Sequence, residues 1–226
     1  MNKTNKTAII LGATGLTGGI LLRSLLTDER YYEVKVFTRS PLRLTHPKLS
    51  EFLCDLLKLE GEEANFTADE VFCCIGTTKA KTPNKELYKA IDYGIPVTAA
   101  TLCKKHAIAT FLVVSAMGAD PSSSVFYNKV KGEMEATILN LGLPKTHILQ
   151  PSLIGGDREE SRPGEYVGKQ FMKVFNFLLV GSLKKYRTIA PENIAQTMLW
   201  LANNPYAEPR LTSDIITNIA ENRTYA

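Results

Sequence analysis

The stretch Thr7–Gly19 decides the fold; it reads Thr-Ala-Ile-Ile-Leu-Gly-Ala-Thr-Gly-Leu-Thr-Gly-Gly. Its apolar start has no polar alternation, which predicts a strand buried on both faces. Glycines then recur at every third position, at Gly12, Gly15 and Gly18, and leucines at helical spacing begin with Leu16. A glycine turn between a strand and a helix lets backbone N–H groups approach a pyrophosphate at the helix N-terminus. The stretch therefore predicts a dinucleotide site; a glycine-rich turn without a ligand is the alternative.

Short apolar runs alternate with amphipathic helices along the first two thirds of the chain. Further strands are predicted at Val34–Phe37, Glu51–Cys54, Val71–Ile75, Phe111–Val114 and Thr146–Leu149. Helices are predicted at Leu16–Leu26, Asn84–His106 and Ser124–Leu141. Strands separated by helices, joined by right-handed crossovers, predict an α/β doubly wound parallel sheet, the Rossmann fold.

The alternation fades after residue 150. A loop is predicted at Pro151–Glu165, helices at Glu165–Leu179 and Ile194–Asn203, and a last strand at Ile215–Thr217. We expect a single domain over residues 1–226, with a dinucleotide-binding core at 1–150 and a small substrate-side segment at 151–226.

The composition excludes several classes of protein. The 226 residues are 44% hydrophobic and 22% charged, which is ordinary for a folded domain and not for a disordered or fibrous one. The net charge of +4 (27 − 23) comes from scattered basic residues, so no nucleic-acid partner is expected. The apolar runs are too short to span a bilayer, so no membrane partner is expected either.

Cysteine and histidine usage gives no sign of a metal site. The 4 cysteines include no C-x-x-C pair, and the histidines lack ligand spacing. Free thiols and a polar N-terminus without a signal-peptide pattern predict a cytoplasmic protein.

The end of the second strand bears on the choice of nucleotide. An NAD-specific site places an acid there to hold the ribose 2′-hydroxyl, but this chain has Arg39 and Ser40. A guanidinium grips a 2′-phosphate, so NADP(H) is predicted in preference to NAD(H). The alternative is that Arg39 is a solvated surface charge. The predicted cofactor contacts are Gly12, Thr14, Gly15, Leu16, Thr17, Gly18, Arg39, Ser40, Asp55, Leu56, Ile75, Gly76, Thr77, Tyr127, Lys131, Pro151 and Leu153.

A Y-x-x-x-K pair, Tyr127 and Lys131, supplies a candidate acid–base group. On a helix the two residues share a face, and an ammonium favours the phenolate and is expected to lower the pKa of the tyrosine. Ser115 ends the fifth predicted strand, where its hydroxyl is expected to bind a substrate carbonyl. Each has a structural alternative: a strand end, a half-buried aromatic side chain and a solvated lysine.

The segment after residue 150 carries the remaining candidates. Arg158 and Arg162 flank the predicted loop, where they would bind an anionic substrate group or simply hold the loop in place. The apolar stretch Phe171–Val180 is expected in the core or in a subunit interface. A small-molecule substrate and a monomer or homodimer are expected.

The glycine loop with Ser115, Tyr127 and Lys131 resembles the atypical G-A-T-G branch of the short-chain dehydrogenase/reductase superfamily. Four further segments resemble the Tat-interacting oxidoreductase (metastasis suppressor) family: Cys74–Thr78, Ser115–Asp120, Lys131–Glu135 and Asp157–Glu165. That resemblance implies a Rossmann core that binds NADPH, a retained Ser–Tyr–Lys triad, and regulatory protein–protein roles in animal members.

The expected function is an NADP(H)-dependent oxidoreductase that moves a hydride to or from a small carbonyl or alcohol. Tyr127 is the expected acid in reduction, Lys131 tunes it and holds the nicotinamide ribose, and Ser115 orients the carbonyl. One alternative is an NADPH sensor with little or no turnover. A weaker one is a nucleotide-sugar epimerase or dehydratase, for which the chain is short.

Overall fold

The computed structural model describes residues 5–155, 183 and 186–222, and these contain a parallel sheet of 7 strands in the order β3-β2-β1-β4-β5-β6-β7. The strands are β1 (Lys6–Leu11), β2 (Tyr31–Thr38), β3 (Leu49–Leu53), β4 (Glu70–Cys73), β5 (Thr110–Val114), β6 (Lys145–Gln150) and β7 (Arg210–Thr212). The helices are α1 (Leu16–Thr27), α2 (Lys85–Lys89), α3 (Ile95–Lys105), α4 (Phe126–Asn140), α5 (Pro191–Asn203) and α6 (Ser213–Asn222). The predicted doubly wound α/β sheet is confirmed.

Strand β1 lies in the middle of the sheet and is covered on both faces. Ala8 and Ile10 pack into the apolar cluster formed with α1 and α5, whereas Ile9 and Leu11 pack into the cluster formed with α3 and α4. All four side chains are fully buried. This double burial explains why the strand reads as a continuous apolar run.

The predicted strand at Ile215–Thr217 is wrong. The last strand is β7, whose fully buried Leu211 pairs with Leu149 of β6, and the chain enters α6 directly afterwards. In α6 the buried Ile216 and Ala220 lie four residues apart on one helical face. Two neighbouring isoleucines fit a short strand and an amphipathic helix equally well, so the pattern alone did not separate them.

Two helical features were not expected. The predicted helix from Asn84 to His106 is present, but a π-helical turn at Ala90–Gly94 joins α2 to α3. A 3₁₀ helix at Leu56–Asn65 follows β3. None of the described helices is long and apolar enough to cross a membrane.

Candidate functional site

The strand order places two loops at one crevice. The chain leaves β1 toward β2 on one side, while β4 pairs with β1 on the other, so the loops after β1 and β4 diverge at the carboxyl edge. Gly12 opens the first loop, and Gly76 and Thr77 lie in the second. Ligands of open α/β sheets bind at such a switch point.

The turn after β1 requires glycine at two positions. Gly12 has a φ of +87°, and a Cβ there would lie 2.7 Å from the carbonyl oxygen of Cys74. A Cβ on Gly18 would lie 2.1 Å from the carbonyl oxygen of Gly12. Both obstacles are backbone atoms, so the glycines allow α1 to start directly against the sheet.

Helix α1 begins with amide groups that no side chain caps. Its N-cap is Gly15, and its first turn contains no acidic residue. The first N–H groups, those of Leu16, Thr17 and Gly18, lack intrahelical acceptors and lie at the positive end of the helix dipole. This cradle fits a pyrophosphate, as the sequence predicts.

The residues expected around the adenosine lie at the next two strands. Arg39 and Ser40 are exposed just beyond β2. The Arg39 guanidinium forms no ion pair with a described residue. Asp55 follows β3, where its carboxylate accepts a 3.0 Å hydrogen bond from the Leu57 amide and caps the 3₁₀ helix. Leu56 beside it is buried. A role for these residues in binding adenosine stays a prediction.

Tyr127 and Lys131 share one face of α4, as predicted. The Tyr127 side chain is 37% exposed, and its hydroxyl makes no hydrogen bond to the described residues. Lys131 is only 3% exposed, and its Nζ lies 3.5 Å from the carbonyl oxygen of Val114, at the end of β5. The tyrosine side chain is therefore partly exposed, whereas the lysine side chain is buried.

Asp92 is the charge partner of Lys131 and was missed by the sequence reasoning. Its Oδ1 lies 3.0 Å from Nζ of Lys131, and its Oδ2 accepts a 2.8 Å hydrogen bond from the Thr77 amide. Asp92 is fully buried and lies in the π-helical turn. The available signal was a carboxylate between the apolar residues Ile91 and Tyr93 inside a predicted helix, because such a charge is buried only with a partner.

The surroundings of Tyr127 raise the pKa of its phenol. Burial of the group is the largest cause, the Lys131 ammonium acts in the opposite direction, and the Asp92 carboxylate raises the pKa further. The expected lowering by Lys131 is present, but burial outweighs it. The predicted direction of the net change is wrong, because the sequence did not show that protein atoms surround much of this partly exposed side chain.

Ser115 lies at the end of β5, as predicted, but its hydroxyl donates to a carboxylate. The acceptor is Oε1 of Glu135, at 2.5 Å, and both side chains are buried. Gln150 donates to both oxygens of Glu135 at 2.9 and 3.0 Å, and Nε of Arg210 donates to Oε2 at 2.8 Å. A bond from Ser115 to a substrate carbonyl stays a prediction, and it requires the hydroxyl hydrogen to turn away from Glu135.

A cavity of 490 Å³ opens beside Tyr127. Its described lining comes from the loop after β4, from α2 and from the start of α4. The residues are Thr77, Thr78, Lys79, Thr82, Pro83, Lys85, Tyr88, Val125, Phe126 and Tyr127. A small molecule in this cavity would therefore lie against the phenol and next to the crevice.

The remaining predicted residues divide into two groups. Pro151 is buried and Leu153 is 61% exposed, both just beyond β6. Four predictions fall on residues outside those described: Arg158, Arg162, the helix Glu165–Leu179 and the stretch Phe171–Val180. Within the described part of the chain, no group of three His, Cys, Asp or Glu side chains could hold a metal ion.

A larger hollow of 940 Å³ lies at the opposite, amino edge of the sheet. The two lysines in its lining already have partners within the protein. Lys6 pairs with Glu70 at 2.5 Å, and Lys145 donates hydrogen bonds to the carbonyl oxygens of Ala202 and Asn204. These contacts hold the end of α5 against the sheet, far from the crevice. We assign this hollow a structural role.

The chain is similar to proteins of known family. A family model described as NAD(P)H-binding matches residues 12–205. Protein HTATIP2 from Rattus norvegicus is 33% identical over 171 residues, which are 74% of this chain and 70% of that protein. The mitochondrial protein FMP52 from Debaryomyces hansenii is 30% identical over 205 residues, which are 89% of each chain.

Solved structures share the fold at much lower identity. UDP-N-acetylglucosamine 4-epimerase from Methanobrevibacter ruminantium superimposes with a TM-score of 0.69 and 14% identity, over 92% of this chain and 77% of that one. WbmH from Bordetella bronchiseptica, solved with NAD+, superimposes with a TM-score of 0.67 and 13% identity, over 96% of this chain and 80% of that one. These two likenesses concern the fold alone. From the family match and the relatives, the chain belongs to the NAD(P)H-binding family, with HTATIP2 and FMP52 as homologues, and it has a Rossmann fold.

Proposed function

We propose that this protein is an NADP(H)-dependent oxidoreductase of the short-chain dehydrogenase/reductase type, acting on a small carbonyl or alcohol. One observation carries the proposal: the Tyr127 side chain lines a cavity beside the dinucleotide crevice, and the buried ammonium of Lys131 lies one helical turn further along the same face of α4. A phenol and an ammonium so placed suit proton transfer to or from a substrate oxygen.

The cofactor site follows the glycine turn. The amides of Leu16, Thr17 and Gly18 would hold the pyrophosphate, and Arg39 with Ser40 would hold the 2′-phosphate. Asp55 and Leu56 would border the adenine. Residues at the ends of β4 and β6 would border the nicotinamide half: Ile75, Gly76, Thr77, Pro151 and Leu153.

The chain supplies the proton in this reaction. When bound, the nicotinamide cofactor donates or accepts the hydride at the substrate carbon. In reduction, Tyr127 gives its phenolic proton to the carbonyl oxygen, and the alcohol leaves. Lys131 stabilises the resulting phenolate until solvent returns a proton. At its ordinary pKa a tyrosine is already protonated near neutral pH, and the raised pKa of Tyr127 makes it a weaker acid. Proton release therefore depends on the Lys131 ammonium, which acts to lower the pKa.

Ser115 would bind the same substrate oxygen. In the described structure its single hydrogen is used by Glu135, so its oxygen offers lone pairs to the site. In oxidation the single hydroxyl hydrogen of an alcohol must point at Tyr127, which takes it, so that hydrogen is not available to Ser115. A carbonyl requires the Ser115 hydroxyl to rotate first.

The test is a panel of carbonyl compounds assayed with NADPH, comparing the wild type with Tyr127→Phe. Because the Tyr127 hydroxyl makes no hydrogen bond to described residues, the phenylalanine variant should fold as the wild type does, and NADPH titration of the variant shows how much the hydroxyl contributes to cofactor binding. We expect its turnover to fall at least about 100-fold, the usual contribution of a general acid. Undiminished turnover would refute Tyr127 as the acid. NADPH binding by the wild type without any turnover would favour an NADPH sensor.

We propose a cytoplasmic monomer or homodimer with a small-molecule substrate and no nucleic-acid or membrane partner. Relatives named FMP52 carry the word mitochondrial in their names, so subcellular fractionation of the tagged protein is the direct test.

A further inference from the structure

The cavity beside Tyr127 has an aromatic wall. Tyr88 is 4% exposed and meets Phe126 at 5.6 Å between ring centroids, with the ring planes at 65°. It meets Tyr127 at 6.4 Å and 83°. Edge-to-face contacts of this kind hold the rings against one another. The wall is therefore a fixed apolar surface that continues up to the reacting phenol.

Two lysines line the same cavity, and no carboxylate lines its described part. Lys79 lies exposed on the loop after β4, and Lys85 begins α2. Nζ of Lys85 lies 5.5 Å from the centroid of the Phe126 ring, so this charge is held over the aromatic wall. The cavity thus combines a flat apolar side with a positive rim.

Two other lysines near the site, unlike these two, are paired with acids. Lys89 pairs with Glu133 at 2.8 Å, and Lys131 pairs with Asp92 at 3.0 Å. Neither Lys79 nor Lys85 forms an ion pair with any described residue. Their charges therefore remain available to an anion in the cavity.

Polar hydroxyls on the loop complete the lining. Thr77 and Thr82 share a 2.9 Å hydrogen bond through their side-chain oxygens, and Thr82 is buried. Oγ1 of Thr78 accepts a 3.3 Å hydrogen bond from the Lys81 amide and retains its own hydrogen for a ligand. These groups add neutral donors beside the two cations.

We propose that the substrate of this site is an aromatic carbonyl compound, or the corresponding alcohol, that carries a carboxylate. The inference rests on the function proposed above. The ring of the substrate lies along Tyr88 and Phe126, its carbonyl oxygen reaches Tyr127, and its carboxylate lies between Lys79 and Lys85. The cavity volume of 490 Å³ suits a compound of this size.

The test uses ligand binding and needs no turnover. The probe is 2-naphthoate, and the matched neutral probe is 2-naphthamide, titrated by calorimetry into the NADP+-loaded protein at low salt. We expect the naphthoate to bind at least about tenfold more tightly than the amide, and this preference to shrink as salt is added. Equal affinity for the two probes would overturn the proposal.

Variants of Lys79 and Lys85 test whether the carboxylate of the probe binds at these two lysines. Lys79→Ala/Lys85→Ala should abolish the preference for naphthoate, and Lys79→Arg/Lys85→Arg should largely restore it. Lys58→Ala/Lys104→Ala is the control, because it removes the same total charge from exposed positions elsewhere. An equal loss in both alanine pairs would overturn the proposal, since it would show only an effect of net charge.

The NADPH affinity of each variant separates this inference from the proposed function. If Lys79→Ala/Lys85→Ala binds NADPH normally and loses the naphthoate, the substrate-class inference is supported. Absence of NADPH binding by the wild type would instead refute the proposed function. The salt-dependent preference for naphthoate can then still be measured in the protein without nucleotide.

Discussion

The hydroxyl of Ser115 donates a 2.5 Å hydrogen bond to the buried carboxylate of Glu135. Every partner of Glu135 in this cluster is a donor, since Gln150 and Arg210 also direct N–H groups at it. Four hydrogen bonds from donors satisfy a carboxylate in its ionised form. Glu135 thereby joins β5, β6 and β7 behind the candidate site and decides which way the serine hydrogen points.

Replacement of Glu135 by Gln should destabilise the fold. The amide carries no charge for Arg210 and directs hydrogens at neighbours that are themselves donors, so we expect a loss of about 2–3 kcal/mol in the free energy of unfolding. Urea denaturation followed by circular dichroism measures it. Glu133→Gln is the control on the same helix, because its ion pair with Lys89 is partly exposed and should contribute less than about 1 kcal/mol. Similar losses in both variants would contradict the role assigned to Glu135.

Gly18→Ala should abolish tight packing at the start of α1. The new Cβ would lie 2.1 Å from the carbonyl oxygen of Gly12, so the helix must shift, at a cost of about 1–3 kcal/mol. NADPH affinity should fall with it, because the amides at the start of α1 move too. Thermal unfolding and nucleotide titration by fluorescence measure the two effects. Gly61→Ala is the control, since nothing lies within 4 Å of its Cβ position, and an equal effect there would disprove the steric argument.

Asp92→Asn should lower the pKa of Tyr127. The Asp92 carboxylate raises that pKa in the wild type, so its removal leaves the opposing effect of Lys131 stronger. The phenolate is the base in alcohol oxidation, so the rising limb of the pH–rate profile should move to lower pH. Ultraviolet titration of tyrosinate, with Tyr127→Phe subtracted, reports the same change without turnover. Asp120→Asn, on an exposed loop, is the control and should leave the rising limb of the pH–rate profile unchanged. If that limb did not move in Asp92→Asn either, the effect of Asp92 on the pKa of Tyr127 would be contradicted.

Arg39→Ala should weaken NADPH binding while leaving NADH binding unchanged. Loss of a charge-assisted contact to the 2′-phosphate corresponds to a decrease in affinity of about 10- to 100-fold. Fluorescence titration with both nucleotides measures it, and Arg23→Ala, an exposed arginine on α1, is the control. If the wild type bound NADH as tightly as NADPH, the predicted preference for NADP(H) over NAD(H) would be refuted without any variant.

Most of the architecture was predictable from local patterns. The apolar run before Gly12 and the glycine spacing each lie within a short stretch of chain and have one dominant physical interpretation. The Y-x-x-x-K spacing predicted that Tyr127 and Lys131 share a helical face, but it left structural alternatives for both residues. The error at Ile215–Thr217 arose where a short apolar run fits two periodicities. The 3₁₀ helix at Leu56–Asn65 was missed for a different reason, because Leu56 and Leu59 are its only two buried residues and the rest of the segment is mostly polar.

The sequence by itself determined a doubly wound sheet, a glycine cradle for a dinucleotide, and the face of α4 that carries Tyr127 and Lys131. Only the tertiary structure decided that Asp92 pairs with Lys131 and that Glu135 binds Ser115. Asp92 and Lys131 are 39 residues apart, and Ser115 and Glu135 are 20 residues apart. In each pair the two residues come from different elements of the fold. Such contacts depend on how helices pack on the sheet, and burial then decides the pKa of Tyr127. Periodicity and spacing describe one element at a time, so they carry no information about either.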